Sequence, residues 1–293
     1  MISKYLKFCI FILCLTYTNS LYSQIQIAIN MDQLKYIQHE PIDMTIHVIN
    51  DTGSQLTFGK NGGKIEFLIL SELNEFSKMV NPYKENFNPA NGLILGAGET
   101  KKMTVRINKH FNLGRPLRYR IKARISHPRL QNAIETKNPL SFEVAEGQTI
   151  ETRSFGLTDV TDPQKIITRK YTILGFHQNR NSIYCIKFHD SKWIYALHRL
   201  GPKVRGVPLR HEVDSFANIH TLTQLEPKIF SHVIFSPDGK KQQELVYRAS
   251  FDNIPRLNKD TDLGKVSVRD GLKAIEGIDY IRQGDKIKIL NKN

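Results

Sequence analysis

Cysteine is scarce in this chain, and its scarcity limits what can stabilise the fold. Only three of the 293 residues are cysteine. Cys9 and Cys14 fall in an N-terminal segment that is predicted to be removed, which leaves Cys185 alone and excludes an intramolecular disulfide. Each domain must therefore be held by its own core. The flanks of Cys185, I-Y-C-I-K-F, are typical of a strand, and we predict a buried structural thiol there.

Long apolar runs are also missing, apart from one short run near the N-terminus. Phe8–Leu15 follows the basic residues Lys4 and Lys7 and precedes small and polar residues up to Ser23, as in a secretory signal peptide. This run is too short to cross a bilayer core of about 30 Å as a helix. We predict a signal peptide over residues 1–23 and an exported mature chain, periplasmic or extracellular, with no transmembrane segment.

The sequence motifs of several enzyme classes are absent. There is no G-x-S-x-G nucleophile elbow, no P-loop and no G-x-G-x-x-G dinucleotide motif. There is no His-x-His pair and no pair of histidines one helical turn apart, which are usual arrangements of metal ligands. We therefore predict no cofactor and no metal. Whether the protein is an enzyme stays open, and we favour a non-catalytic role.

Basic residues outnumber acidic ones throughout the chain. The formal net charge is +14, of which Lys4 and Lys7 contribute two, so the mature chain carries +12. The excess is spread over both halves and forms no single basic run. A field of this sign attracts polyanions weakly and in a salt-sensitive way. The positive charge suggests an anionic glycan or an envelope protein as the partner. We predict no specific recognition of nucleic acid.

The clearest periodic pattern is Leu117–Ser126, which reads L-R-Y-R-I-K-A-R-I-S. Apolar residues occupy every second position, which predicts a half-buried antiparallel strand with its basic side chains on the outer face. These basic side chains, called the basic row below, are Arg118, Arg120, Lys122 and Arg124. We predict that the basic row binds a partner, the alternative being an ordinary solvated face. If this strand is central in its sheet, Glu66 and Glu143 lie beside the row.

Seven or eight short alternating segments, separated by turns, make up the first half of the chain, which is typical of a β-sandwich. Three motifs follow one another: E-P-I-D-M-T-I-H-V-I-N (Glu40–Asn50), L-G-A-G-E-T (Leu95–Thr100) and R-Y-R-I-K-A-R-I (Arg118–Ile125). In this order they resemble bacterial exported Ig-like domains, and they are similar to macroglobulin-type modules and to the sandwich of BsuPI-type proteinase inhibitors. The resemblance implies an Ig-like β-sandwich over residues 25–147. The inhibitors' reactive loop has no match here, so inhibition is not implied.

Alternation of period two continues beyond Gly147, where we place the boundary between a first domain (24–147) and a second domain (148–293). The second domain is predicted to be mainly β, as a sandwich or a barrel, so the whole chain is assigned to the all-β class. A polar segment of this domain contains the candidate catalytic residues of an exported hydrolase, which are His211, Asp214 and His220. Such a hydrolase is the alternative to a non-catalytic binding or envelope-assembly protein.

Three aromatic residues of the second domain are candidates for a carbohydrate-stacking platform, namely Trp193, Tyr195 and Phe216. Trp193 and Tyr195 alternate with Leu197 along one predicted strand, so all three would lie on the same face. We therefore predict that Trp193 and Tyr195 belong to a core row and not to a platform.

Overall fold

The computed structural model describes residues 25–73, 76–159, 162, 164–178, 181–250, 253–284 and 286–290. Within these ranges the chain is nearly all β, and its one helical element is a single 3-10 turn, Ile107–Lys109. The predicted all-β class is confirmed. The predicted signal peptide lies outside the described residues. In the same ranges, no helix has the length and apolar character that crossing a membrane requires.

The chain divides into two compact units. Among the described residues, the first unit comprises 25–36 together with Pro41–Ala145, and the second comprises Ile37–Glu40 together with the residues from Glu146 to 290. Two contacts explain why the short segment 37–40 belongs to the second unit. The Glu40 carboxylate accepts two hydrogen bonds from the Arg199 guanidinium, at 2.6 and 2.8 Å. The Ile37 side chain packs so closely on Gly147 that a Cβ there would lie 2.8 Å from it.

Eleven strands lie between residues 25 and 145 in the described part of the chain. They are β1 Ile25–Met31, β2 Lys35–Ile37, β3 Asp43–Asn50, β4 Leu56–Thr57, β5 Lys64–Leu73, β6 Phe76–Met79, β7 Ile94–Leu95, β8 Thr100–Arg106, β9 Arg118–Ser126, β10 Ile134–Glu135 and β11 Leu140–Ala145. Three of them form a sheet in the order β1-β3-β8, and a larger sheet has the order β2-β11-β9-β5-β6, with β10 also pairing with β9. β4 and β7 form a separate short pair.

The two larger sheets of the first unit share one apolar core. β9 follows the predicted alternation, because Tyr119, Ile121, Ala123 and Ile125 are buried while the basic residues between them point outward. Strand β3 contributes in the same way through its own alternate apolar residues. Burial of each large apolar side chain contributes about 1.5–3 kcal/mol, so rows of this kind stabilise the unit without any disulfide.

Thirteen strands follow Glu146 in the described part of the second unit. They are β12 Gln148–Thr158, β13 Ile166–Gln178, β14 Asn181–His189, β15 Ile194–Pro202, β16 Arg210–Val213, β17 Ile219–Glu226, β18 Ile229–Phe235, β19 Lys241–Ala249, β20 Arg256–Lys259, β21 Val266–Arg269, β22 Gly271–Lys273, β23 Tyr280–Gln283 and β24 Lys286–Ile289. One sheet has the order β12-β13-β14-β15 and a second has the order β16-β17-β18-β19-β22. β20–β21 and β23–β24 are separate hairpins.

The second sheet of this unit is buried on both faces. One face shares a core with the first sheet, in which Tyr171 and Phe188 pack with Phe235. On the opposite face Leu222, Phe230 and Tyr247 pack with residues of the β20–β21 hairpin. Five successive residues are buried at the start of both β17 and β18, including the polar Thr221 and Ser231, so apolar and polar residues do not alternate cleanly there.

Cys185 lies on β14 and is completely buried. Burial raises the pKa of its thiol to about 12, so the sulfur stays protonated at neutral pH. The predicted buried structural thiol is confirmed.

Candidate functional site

The basic row lies on the outer face of β9, the central strand of the larger sheet in the first unit. Glu66 on β5 stands opposite Arg124, and Glu143 on β11 stands opposite Arg118, in the positions that the sequence predicted. Arg118 and Arg124 are exposed. The row is therefore accessible, with carboxylates on both sides of it.

Two further carboxylates pair directly with the middle of the row. Arg120 forms an ion pair with Glu72 on β5, with a nitrogen–oxygen distance of 2.6 Å. Lys122 approaches Glu135 on β10 at 3.4 Å. Such partly exposed pairs contribute little to stability, but they reduce the positive potential that a ligand would meet. Glu66 and Glu143 form ion pairs with Lys64 and Lys35 instead, so two of the four cations on β9 have an ion pair among the described residues.

The structure brings together two of the three predicted catalytic residues. Asp214 and His220 are in contact, with 3.3 Å between Oδ2 and Nε2. His211 lies elsewhere, with its Nε2 3.1 Å from the Glu151 carboxylate and its Nδ1 3.0 Å from the Tyr171 hydroxyl. The three residues therefore do not form one site.

Asp214 and His220 belong to a chain of hydrogen bonds that also includes His232, which sequence reasoning did not select. His220 Nδ1 lies 3.0 Å from His232 Nε2. The Asp214 carboxylate also accepts hydrogen bonds from Asn218 and from the backbone of Phe216. If His220 donates from Nε2 to Asp214, its Nδ1 accepts the proton of His232 Nε2. The remaining nitrogen, His232 Nδ1, then carries a lone pair.

This chain is closed to solvent. His220 and His232 are 5% and 3% exposed, and His232 Nδ1 has no hydrogen-bond partner among the described residues. Burial, together with the neighbouring His220, lowers the pKa of His232 to about 4. A general base must come within hydrogen-bond reach of its substrate, directly or through one water. The buried chain is suited to joining β17 and β18 rather than to meeting a substrate.

His211 belongs to a second polar cluster that connects the edge strands of the two sheets. It lies on β16 and contacts Glu151 on β12, whose carboxylate also accepts a hydrogen bond from Arg153 at 2.6 Å. Burial raises the pKa of Tyr171 to about 12, so its hydroxyl remains a hydrogen-bond donor. Burial, with a smaller contribution from the nearby Arg153, lowers the pKa of His211. The cluster holds β12, β13 and β16 together.

The predicted core row of aromatic residues in the second unit is wrong. Trp193 is 67% exposed and Tyr195 is 37% exposed. β15 begins after Trp193, which therefore lies in the preceding turn. The Tyr195 hydroxyl bonds to Asp190 and its ring lies 3.8 Å from the Arg169 guanidinium carbon, so a polar cluster keeps it at the surface. Phe216 is also exposed.

A groove of about 1220 Å³ lies on the first unit and is lined by residues from segments 59–66, 83–91 and 109–110. We call it the lysine groove after Lys60, Lys64, Lys84 and Lys109. Lys64 pairs with Glu66 at 2.8 Å. Within the described residues, the other three lysines form no ion pair, and all three are exposed. Positive charge is thus less compensated here than in the basic row.

Backbone and amide contacts fix the loops of the lysine groove. The Asn88 side-chain oxygen accepts hydrogen bonds from the backbone of Ile65 and Ala90, at 3.1 and 3.0 Å. Gly59 has a φ of 137°, and a Cβ there would lie 2.9 Å from the Asn91 side-chain oxygen. Only glycine suits such a position. The segments around residues 60 and 90 are therefore held against each other and against the start of β5.

Aromatic rings line another part of the groove. Phe87 stacks on His110, with ring centroids 3.7 Å apart and an interplanar angle of 16°. Phe87 also packs against the buried ring of Phe111. The Tyr83 backbone donates to the His110 carbonyl at 2.8 Å, while the Tyr83 side chain is 63% exposed. The ring of Phe87 is therefore covered by its stack on His110, whereas the ring of Tyr83 is accessible to a ligand.

The pKa of His110 gives a second indication of positive potential in the groove. Partial burial lowers this pKa first, and the charges of Lys109 and Lys84 lower it further. The groove residues come from three segments that are distant in the sequence and form no motif, so no sequence pattern predicts them. Across the described residues, no group of three or more His, Cys, Asp or Glu side chains is placed to hold a metal ion.

Comparison with known proteins identifies no family. No protein-family profile matches the chain, and no curated protein matches its sequence. Among solved structures, the chain is similar to the sporulation control protein Spo0M from Bacillus subtilis, with 8% sequence identity and a TM-score of 0.26. The match covers 60% of this chain and 89% of that one. A likeness of this size carries no conclusion about fold or function.

Proposed function

We propose that the protein is an exported, non-catalytic binding protein that recognises an anionic partner through the lysine groove. The observation that carries this proposal is that three exposed lysines around one groove, Lys60, Lys84 and Lys109, have no ion-pair partner in the part of the chain that the structure describes. Anionic groups are attracted to such a concave basic surface, where the field is focused. An anionic glycan or an acidic envelope protein carries groups of this kind.

The proposal also includes the finer description of the first unit as an Ig-like β-sandwich and its export by a signal peptide. The sandwich description is supported by the order of the three motifs beginning at Glu40, Leu95 and Arg118, and by two antiparallel sheets that share one core. Ig-like modules present loops at the ends of their sheets for binding. Envelope assembly is compatible with the same surface.

A charge-matched pair of variants tests which basic surface binds. The groove variant is K60Q/K84Q/K109Q, and its control is the row variant R118Q/R120Q/R124Q, which removes the same number of positive charges. Mature chains (residues 24–293) are compared on an immobilised sulfated polysaccharide, with elution by increasing salt. We expect the groove variant to lose about tenfold or more in affinity and the row variant to lose less, because the row lies on an open sheet face whereas the concave groove focuses the field on the ligand.

The outcomes separate the alternatives. Equal losses in both variants would reduce the interaction to diffuse charge, and a larger loss in the row variant would assign binding to the basic row. Retention of full affinity by the groove variant would contradict the proposal, as would failure of the unmodified chain to bind any anionic polymer.

The Asp214–His220 contact supports a second candidate function, an exported hydrolase. A carboxylate and an imidazole in contact are a common part of hydrolytic sites, although both partners are buried here. The test is a panel of ester, peptide and glycoside substrates with the mature chain and with H220Q. A hydrolytic activity that H220Q abolishes without unfolding the protein would replace the binding proposal.

A further inference from the structure

We infer that the lysine groove is a binding site for an acidic oligosaccharide, with Tyr83 as the platform for one sugar ring. This inference rests on the proposed function, because it names the chemical class of the anionic partner. The groove holds positive charge, hydrogen-bonding groups of both kinds and one exposed aromatic ring. Each of these features corresponds to one part of such a ligand.

The size of the groove favours an oligomer over a small anion. Its volume is about 1220 Å³. Sites for drug-sized ligands typically have volumes of about 300–1,000 Å³. An inorganic ion or a single sugar would leave much of this groove filled with water. A chain of several sugar units would contact Lys60 on one segment and Lys109 on another.

The mixture of charges in the groove argues against a ligand that carries a charge at every unit. The carboxylates of Glu66 and Glu85 line the groove together with the lysines. A carboxylate only accepts hydrogen bonds, and it repels phosphate groups. The phosphodiester backbone of DNA has no donor to offer it. An acidic oligosaccharide has many hydroxyl donors between its anionic groups, so it satisfies the lysines and the carboxylates together.

Side-chain amides add further partners for hydroxyl groups. Asn86 and Asn91 line the groove and are exposed. An amide side chain offers two donors and an acceptor, and a hydroxyl group both donates and accepts. These groups match the alternating donors and acceptors along a sugar ring.

The aromatic residues of the groove provide one platform rather than a series. Phe87 is already covered by its stack with His110, whereas Tyr83 is exposed and its backbone is fixed by the hydrogen bond to the His110 carbonyl. Proteins that bind single-stranded nucleic acid stack successive bases on successive aromatic side chains. A single ring suits the apolar face of one sugar.

The site is largely formed in advance of binding. Asn88 joins the loop to β5, and the close approach of Gly59 and Asn91 brings two loops together. A preorganised groove loses less conformational entropy on binding than a mobile one. The backbone segments that carry Tyr83 and Lys60 are therefore held in place by the fold.

Titration calorimetry of the mature chain with defined ligands tests this inference. The ligands are a carboxylated and a sulfated hexasaccharide, a carboxyl-reduced hexasaccharide of the same length, and a single-stranded oligodeoxynucleotide of matched charge. The protein variants are Y83A, the groove variant K60Q/K84Q/K109Q, and F76A as a control, because Phe76 is an exposed aromatic residue of the same unit outside the groove lining.

We expect at least one acidic hexasaccharide to bind and the carboxyl-reduced hexasaccharide of the same length to bind far more weakly. Y83A and the groove variant should each weaken binding by about tenfold, while F76A leaves it unchanged. Circular dichroism and thermal unfolding of each variant establish that it is folded.

Other results overturn the inference in distinguishable ways. If the oligonucleotide binds more tightly than either hexasaccharide and depends on the same lysines, the proposed function stands but the sugar assignment fails. Binding of a hexasaccharide that Y83A weakens no more than F76A overturns the platform. If no anionic ligand binds, both the inference and the proposed function are wrong.

Discussion

Each unit of the chain contains a glutamate–arginine pair with a nitrogen–oxygen distance of 2.6 Å, but the two pairs have different surroundings. In the first unit, Glu72 and Arg120 lie on an outer sheet face, and the arginine side chain is 48% exposed. In the second unit, Glu40 and Arg199 have side chains that are 10% and 20% exposed. A glutamate–arginine ion pair is thus partly exposed in the first unit and nearly buried in the second.

This difference extends to other polar groups. The first unit keeps its lysines at a solvent-exposed groove, where a ligand can reach them, whereas the second unit buries two histidines within a sheet face. Exposed charges contribute little to stability and are available for recognition, while buried polar groups must be satisfied and make stability sensitive to their loss. Mutation of the groove lysines should therefore affect binding, and mutation of the buried histidines should affect stability.

The largest effect is expected from removal of the buried arginine. R199M should lower the free energy of unfolding by about 3–5 kcal/mol, because it leaves the Glu40 carboxylate in a nearly buried position without its guanidinium. The matched variant R120M should cost at most about 1 kcal/mol. Urea unfolding gives the two values, and hydrogen exchange assigns each to its unit. Equal costs would contradict the contrast between the units.

The next effect concerns acid stability of the second unit. The pKa of His232 is lowered from 6.5 to about 4 in the folded chain, so between these values the unfolded chain binds the proton and the folded one does not. Stability is then lost as the pH falls from 6.5 towards 4, by up to about 3 kcal/mol from this group.

The substitution H232Q should flatten this dependence, and H177Q serves as a control because His177 is exposed. The measurement is the free energy of unfolding of each variant at pH values from 4 to 7. H177Q should lose stability with falling pH as the unmodified chain does. If the free energy of unfolding of H232Q falls just as steeply between pH 6.5 and 4, the buried histidine does not account for the loss.

A smaller effect is expected in the loops of the groove. N88A removes the acceptor for the backbone of Ile65 and Ala90, and should cost the first unit about 1–2 kcal/mol. It should also weaken ligand binding at the groove, because the loop is no longer fixed to β5. N88D keeps the acceptor oxygen and should retain most of the stability. A normal melting temperature for N88A would show that this amide does not hold the loop.

The smallest effect is expected for the basic row. The variant R118Q/R120Q/R124Q should change the free energy of unfolding by no more than about 1 kcal/mol, because its side chains point outward and its pairs are partly exposed. Thermal unfolding of this variant beside the groove variant provides the comparison. A loss of several kcal/mol would mean that the ion pairs of the row stabilise the sheet after all.

Period-two alternation predicted the strands that have one face in a core and one in water. β9 is the clearest case, because Tyr119 and Ile121 alternate with arginines along its length. The method failed at Trp193, which lies just before its strand begins. Strand ends depend on pairing with neighbouring strands, which a single sequence does not display.

The candidate sites were harder to predict, because they depend on which segments the fold brings together. Asp214 and His220 are six residues apart and were selected, but their partner His232 lies on the next strand and was not. Lys60 and Lys84 lie on two loops and Lys109 at the end of the 3-10 turn, and these distant segments meet at the groove. Single lysines in distant segments give no signal in the sequence.

The burial of Cys185 has a kinetic consequence. A thiol with a pKa of about 12 and no exposed surface reacts with labelling reagents only when β14 opens, so its labelling rate at neutral pH reports how often the second unit unfolds. With Cys9 and Cys14 in the predicted signal peptide, an opened chain in an oxidising compartment has a partner for this thiol only on another molecule. Covalent dimerisation through this thiol is therefore limited to the time during which β14 is open.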